Sequence, residues 1–124
     1  VHVHTVNSTN LPIEALELEY PLLVDEYALV PDSGGAGRHR GGMGIARQIS
    51  ALVPGTIFSV RSDSHTVGVP SGVFGGKDGR RARLIQNYGR PEAKVLYSKV
   101  ARIEMAPGDS MRIETPGGAG YGEP

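Results

Sequence analysis

The sequence predicts a mostly β fold: short antiparallel strands in a sandwich or open barrel, long glycine-rich loops built from turns or polyproline-type segments, and one short helix. Three observations lead there. Apolar and polar residues alternate along several short runs, the period of a half-buried strand. Pro-Gly pairs at Pro54–Gly55 and Pro107–Gly108 suit the central positions of type II turns between such runs. Helical spacing is confined to Pro12–Glu19, where Ile13, Leu16 and Tyr20 recur every three or four residues.

In that helix Pro12 stands in the tolerant first turn, Glu14 complements the positive end of the dipole, and Pro21 ends it. Leu22–Val30 reads as a strand with Val24, Ala28 and Val30 on one face and Asp25 and Tyr27 in the other register. Pro31, Asp32 and Ser33 break it, and a stretch with six glycines follows from Gly34 to Gly44. Ile45–Val53 and Thr56–Ser62 are expected to pair as a hairpin, burying Ile45, Ile49, Val53, Phe58 and Val60. A long loop with a second glycine group leads to a short strand at Arg83–Gln86. Val95–Met105 is expected as the longest strand, with Val95, Tyr97, Ala101, Ile103 and Met105 on one face. Ser110–Thr115 then pairs back on it and buries Met111 and Ile113. A third glycine-rich stretch, Pro116–Pro124, closes the chain.

Composition narrows the function. The chain has 124 residues, room for one domain, 1–124. It carries 18 glycines and 9 prolines, well above the usual share of about 12%. Ordering such a chain costs much backbone entropy, and only 39% of residues are hydrophobic. The domain is therefore expected to be incomplete on its own and to lean on a partner surface or a longer chain. Thirteen basic residues balance thirteen acidic ones, which argues against nucleic acid as a partner. No run approaches the ~20 apolar residues of a membrane helix. The absence of cysteine suits a cytoplasmic location. The amino terminus lacks methionine and alternates His and Val, as expected of a strand continuing from elsewhere.

Several segments invite chemistry. Arg38, His39 and Arg40 precede Gly41, Gly42 and Gly44, a pattern compatible with a phosphate loop. But no Lys-Ser/Thr follows, and the next run alternates as a strand, so an ion-paired cluster of Asp32, Arg38 and Arg40 is the simpler reading. His2 and His4 share one side of an extended segment, which makes them weak metal candidates that lack a third ligand. Asp63, Ser64 and His65 adjoin in sequence, a poor arrangement for a triad, with no Gly-x-Ser-x-Gly elbow. Glu14 and Glu17 share a helix face, more simply a solvated face than an acid–base pair. Arg80, Arg81 and Arg83 beside Lys77 form a basic run that reads as a solvated loop before a phosphate site. Gly118 and Gly120 are expected to be needed for the backbone path of the tail, beside Tyr121.

Four motifs together resemble the hydantoinase B/oxoprolinase family. Asn10–Glu17 followed by Tyr20–Pro21 is similar to the family's Asn-Thr-Pro-Val-Glu-x-x-Glu and Tyr-Pro. Val30–Gly44 is similar to Arg-Pro-Asp-Ser-Gly-Gly-Ala-Gly-x-x-Arg-Gly-Gly-x-Gly. Gly72–Gly76 resembles the next glycine group, and Thr115–Pro124 resembles the terminal Thr-Pro-Gly-Gly-Gly-Gly-Tyr-Gly-Asp-Pro. Leu11 departs from the family's Thr and Val30 from its Arg. The resemblance implies the carboxy-terminal part of a long subunit that works with a hydantoinase A-like, ATP-binding subunit. Such complexes hydrolyse cyclic amides, N-methylhydantoin or 5-oxoproline, with ATP, and relatives carboxylate ketones. ATP and a divalent metal are expected elsewhere in the complex, with no cofactor in this chain and its catalytic residues unassigned. Its role would be structural and interface-forming. Two other readings remain: a free-standing β module that binds a protein without chemistry, and a small metal hydrolase using His2 and His4.

Overall fold

The structure, a computed structural model, describes residues 9–63 and 68–124. One short helix, α1 (Ile13–Glu19), precedes seven strands: β1 (Leu22–Leu29), β2 (Ile45–Ala51), β3 (Thr56–Arg61), β4 (Arg83–Gln86), β5 (Lys94–Leu96), β6 (Lys99–Met105) and β7 (Ser110–Glu114). They form two antiparallel sheets, neither of them closed: five strands in the order β1-β2-β7-β4-β5, and the pair β3-β6. The mostly β expectation holds, and the two sheets pack on one apolar core.

The helix begins one residue later than its sequence pattern, after Pro12 as N-cap and without a side-chain cap. Asn10 does not cap it; its amide donates to the Tyr27 hydroxyl at 2.8 Å. Glu17 turns back to β1 and accepts the Val24 N–H at 2.8 Å. That donor lies beside a bulge, where Asp25 is the extra residue between the pairs Val24–Ile49 and Glu26–Gln48. Asp25 in turn accepts a 2.6 Å hydrogen bond from the Ser50 hydroxyl.

Neither Pro-Gly turn makes the expected hairpin. β2 pairs with β1 and β7, and β7 with β2 and β4, so both edges of each strand are already taken. β3 and β6 therefore leave that sheet and pair with each other as a second layer. Gly55 and Gly108, at φ +79° and +88°, supply the left-handed residues at these corners. The second corner is bound to the end of β2: Gly108 N–H donates to Ala51 O at 2.7 Å, and Ala51 N–H donates to Asp109 O at 2.9 Å.

The expected long strand Val95–Met105 is also two strands in two sheets. Leu96 pairs with Leu84, whereas Lys99 pairs with Arg61 across the core. Val95 and Tyr97 consequently stand 68% and 84% exposed while Met105 is buried, so they share no core face. A bulge in β6 then sets two residues, Ala101 and Arg102, against Ser59, with Arg102 at φ +55° and its N–H donating to the Ser59 hydroxyl. β2 differs from expectation as well. Ile45 and, beyond the strand's end, Val53 are each 39% exposed, and Ala46 and Ser50, in the opposite register, are buried instead.

Between the sheets Ala51, Leu84, Met105 and Met111 are buried, surrounded by Phe58, Val60, Leu96, Val100, Ile103 and Ile113. Fully burying a side chain such as Leu84 or Met111 contributes about 1.5–3 kcal/mol. We predict that Met111→Ala lowers stability by about 2–5 kcal/mol, whereas Val95→Ala changes it by no more than about 0.5 kcal/mol. Paired thermal and denaturant melts check this; equal losses would restore Val95 to the core.

Candidate functional site

Three segments without helix or strand, residues 33–44, 72–80 and 115–122, lie side by side and satisfy one another's backbones. Gly35 N–H donates to Gly118 O and Gly118 N–H to Gly42 O, both at 2.8 Å. Lys77 N–H donates to Ala36 O at 2.7 Å, Gly120 N–H to Lys77 O at 2.8 Å, and Val73 N–H to Gly120 O at 3.1 Å. Arg80 N–H donates to Ser33 O at 2.8 Å, and Gly117 N–H returns to Arg80 O at 3.0 Å. His39 and Tyr121 exchange two backbone hydrogen bonds, of 3.0 and 2.9 Å. Every segment bonds to both others, so the platform forms as a unit.

Close approach is what the glycines permit here. A Cβ on Gly117 would fall 1.8 Å from Ser33 O, and one on Gly120 would fall 2.1 Å from Ala36 O. Gly118 is looser: its Cβ would meet Gly42 N at 3.1 Å. The two tail glycines singled out from sequence are thus unequal.

The remaining sequence candidates join the platform at its surface. Asp32, at φ +51°, pairs with Arg40 at 2.7 Å, with the two side chains 89% and 58% exposed. Arg38 does not enter that pair. Its N–H donates to Gly122 O at 3.2 Å, and its aliphatic stem covers Gly122. Tyr121 packs edge-on against Phe74, ring centroids 5.2 Å apart, and tilted against His39 at 6.1 Å. The N–H groups of Arg38, His39, Gly41 and Gly44 all donate inside the platform. They are therefore not turned outward to cradle a phosphate, and a strand rather than a helix follows.

Sequence reasoning missed the most deeply placed charges. Arg112 and Glu114 alternate with Met111 and Ile113 on β7, and their side chains are only 8% and 5% exposed. Arg112 donates through Nε to Glu114 at 2.9 Å and through both terminal nitrogens to the Glu26 carboxylate. The Tyr88 ring stacks on the guanidinium, 4.2 Å from its centre. Burial alone would pull the Arg112 guanidinium down, but the hydrogen bonds to Glu26 and Glu114 and their charges outweigh it and hold it above its ordinary value. The other Glu114 oxygen is buried without a hydrogen bond, facing Arg80 and Arg83 at the longer distances of 3.5 and 3.6 Å. Charged residues in register on a buried strand were the available signal. Their partners Glu26, Arg80 and Arg83 come from other strands and loops.

His2, His4 and the Ser64–His65 pair lie outside the described residues. Among the described residues no three His, Asp or Glu side chains are grouped to hold a metal ion. No phosphate-loop pattern occurs in the sequence. Among the described residues no helix is long and apolar enough to cross a membrane.

Comparison with known proteins agrees with the motifs. The model of the family described as hydantoinase B/oxoprolinase matches residues 1–124. A 5-oxoprolinase, PfmaA, of Pestalotiopsis fici is 37% identical over 131 residues, covering 100% of this chain and 10% of that protein. The B-type chain of a D-/L-hydantoinase of Pseudomonas sp. strain NS671 is 37% identical, covering 95% of this chain and 20% of that one. The crystal structure of the ATP-dependent caprolactamase from Pseudomonas jessenii superposes with a TM-score of 0.70 at 28% identity, over 90% of this chain and 20% of that chain. A nucleotide-free acetone carboxylase gives a TM-score of 0.73 at 17% identity, over 90% and 19%, a likeness of fold. The chain thus spans a fifth or less of the length of these relatives.

Glycine packing and buried charge each have a measurable consequence. Gly120→Ala should cost about 1–3 kcal/mol or more, since backbone must move, and Gly118→Ala clearly less, both read from thermal melts. Arg112→Met should cost about 3–5 kcal/mol by leaving the buried Glu114 with only its longer contacts to Arg80 and Arg83, against about 0–1 kcal/mol for Asp32→Ala at the exposed pair. Because the Arg112 guanidinium is raised, its contribution is present below its unfolded value and lost only as pH climbs through the folded one. The Arg112→Met penalty should therefore stay level between about pH 7 and about pH 10 in pH-dependent melts.

Proposed function

Because the chain belongs to the hydantoinase B/oxoprolinase family, we propose that it is the carboxy-terminal, structural and interface-forming part of an ATP-dependent cyclic-amide hydrolase of the 5-oxoprolinase or hydantoinase type. Its partners are the remainder of a hydantoinase B-like subunit and a hydantoinase A-like ATP-binding subunit, in a cytoplasmic complex. The observation that carries this is a surface left half-covered. On the β1–β2 edge Tyr27, Leu29 and Ile45 are 48%, 56% and 39% exposed, and register pairs Leu29 with Ile45 and Tyr27 with Arg47 on one face. The patch continues to Ile113 and Thr115, at the start of the tail. Contiguous apolar surface of this kind marks a contact, and the named relatives are five to ten times longer than the part matched here. The occupant is therefore the rest of the same subunit. Asp32, Arg38, Arg40, Tyr121 and Phe74 edge the platform beside it and are assigned to contacts with neighbouring parts of the assembly.

The hydrolase reading is preferred over ketone carboxylation because relatives above 25% identity include a 5-oxoprolinase, a hydantoinase and a caprolactamase. The acetone carboxylase likeness is one of fold.

Expressed alone, the chain should be loosely folded or aggregated and should neither bind nor hydrolyse ATP. Expressed with the missing part of the subunit and a hydantoinase A-like partner, it should co-purify in a complex that cleaves a cyclic amide in the presence of ATP. Size-exclusion chromatography, calorimetry with ATP and product analysis check this. A monodisperse monomer with a cooperative melt well above room temperature overturns the interface role.

A further inference from the structure

We propose that the cleft between residues 80–83 and 95–98 is an oxyanion-binding site for a small carboxylate or phosphate. It opens where the chain leaves one sheet for the other. Leu96 is the last residue of β5 paired to β4, at Leu84, and three residues later Lys99 is paired to Arg61 in the second sheet. The segment before Leu84 consequently has no strand across from it on the β5 side, and a cleft of about 600 Å³ remains between the two walls.

One wall carries Arg80, Arg81 and Arg83 around Ala82; the other carries Val95, Leu96, Tyr97 and Ser98. Among the described residues no acidic side chain lines it. Glu114 lies behind Arg80 and Arg83, but its buried oxygen faces both at 3.5–3.6 Å without a hydrogen bond, while its other oxygen is taken by Arg112. Two carboxylates, Glu26 on Arg112 and the shared Glu114, answer the three guanidinium groups of Arg80, Arg83 and Arg112, which leaves positive charge at the cleft. The guanidinium groups of Arg80 and Arg83 are nonetheless held, with side chains 39% and 38% exposed, so an anion meets donors already in place. Arg80 is anchored further through its backbone, between Ser33 and Gly117. Planar guanidinium groups match carboxylate and phosphate oxygens with paired hydrogen bonds. The exposed ring of Tyr97 and the Val95 side chain offer apolar cover to the body of such a ligand.

The test is calorimetric titration of the protein, in the assembly in which it purifies, with inorganic phosphate and separately with succinate, against sodium chloride at matched ionic strength. Saturable binding of at least one is expected, with succinate or phosphate preference identifying the source of the oxyanion. Arg81→Gln should weaken it about tenfold, the loss of one charge-assisted contact, and Tyr97→Ala, at an exposed position, should weaken succinate more than phosphate. Arg83→Lys serves as a charge-conserving variant whose melt stays near wild type but whose affinity falls. Binding no stronger than in chloride, or unchanged in both Arg81→Gln and Arg83→Lys, overturns the proposal.

Discussion

Backbone laid directly on backbone is the constraint on which the rest of this structure depends. Residues 33–44, 72–80 and 115–122 approach so closely that a single methyl group on Gly117 would overlap the Ser33 carbonyl. At that separation the peptide groups of one segment become the only available partners for those of the next, and they bond accordingly. The arrangement draws little from apolar side-chain burial. It replaces the apolar core that a chain with 39% hydrophobic residues lacks over this region.

The platform and the five-stranded sheet are one construction. β7 runs straight into Thr115 and the tail, and Thr115 closes on Ile45 through both its N–H and its hydroxyl, each at 2.8 Å. The same strand carries Arg112 and Glu114 into the interior. Arg80, which binds Ser33 and Gly117 through its backbone, reaches Glu114 with its side chain. The ion-pair network thus lies between the sheet and the platform and couples their positions. Removing one member leaves a buried charge without a partner, which is how such networks enforce one arrangement more than they add stability.

Charge is divided by depth. The pair Asp32–Arg40 sits in water, where screening makes it weak. Arg112 is held by two carboxylates and an aromatic ring away from water. Arg80 and Arg83 stand between these extremes, half-covered and only loosely answered by Glu114. A formal net charge of zero over the whole chain conceals this separation.

The sequence by itself determined the family, the mostly β class, the helix and the approximate span of nearly every strand. These depend on local periodicity, turn residues and ordered motifs, which are written along the chain. It also singled out Gly120 and Tyr121, because glycine density signals close approach wherever it occurs. Which strand pairs with which was decided only in three dimensions. Pro54–Gly55 and Pro107–Gly108 are the same turns whether they close a hairpin or carry the chain to another sheet, and only the occupied edges of β2 and β7 chose the second. Alternation from Val95 to Met105 reads as one strand because a switch of sheet at Tyr97–Ser98 leaves no local mark. For the same reason the Arg112–Glu114–Glu26 network and the second wall of the cleft beside the Arg80–Arg83 run were invisible: the network joins residues up to 86 apart in the chain, brought together by strand order and not by sequence neighbourhood.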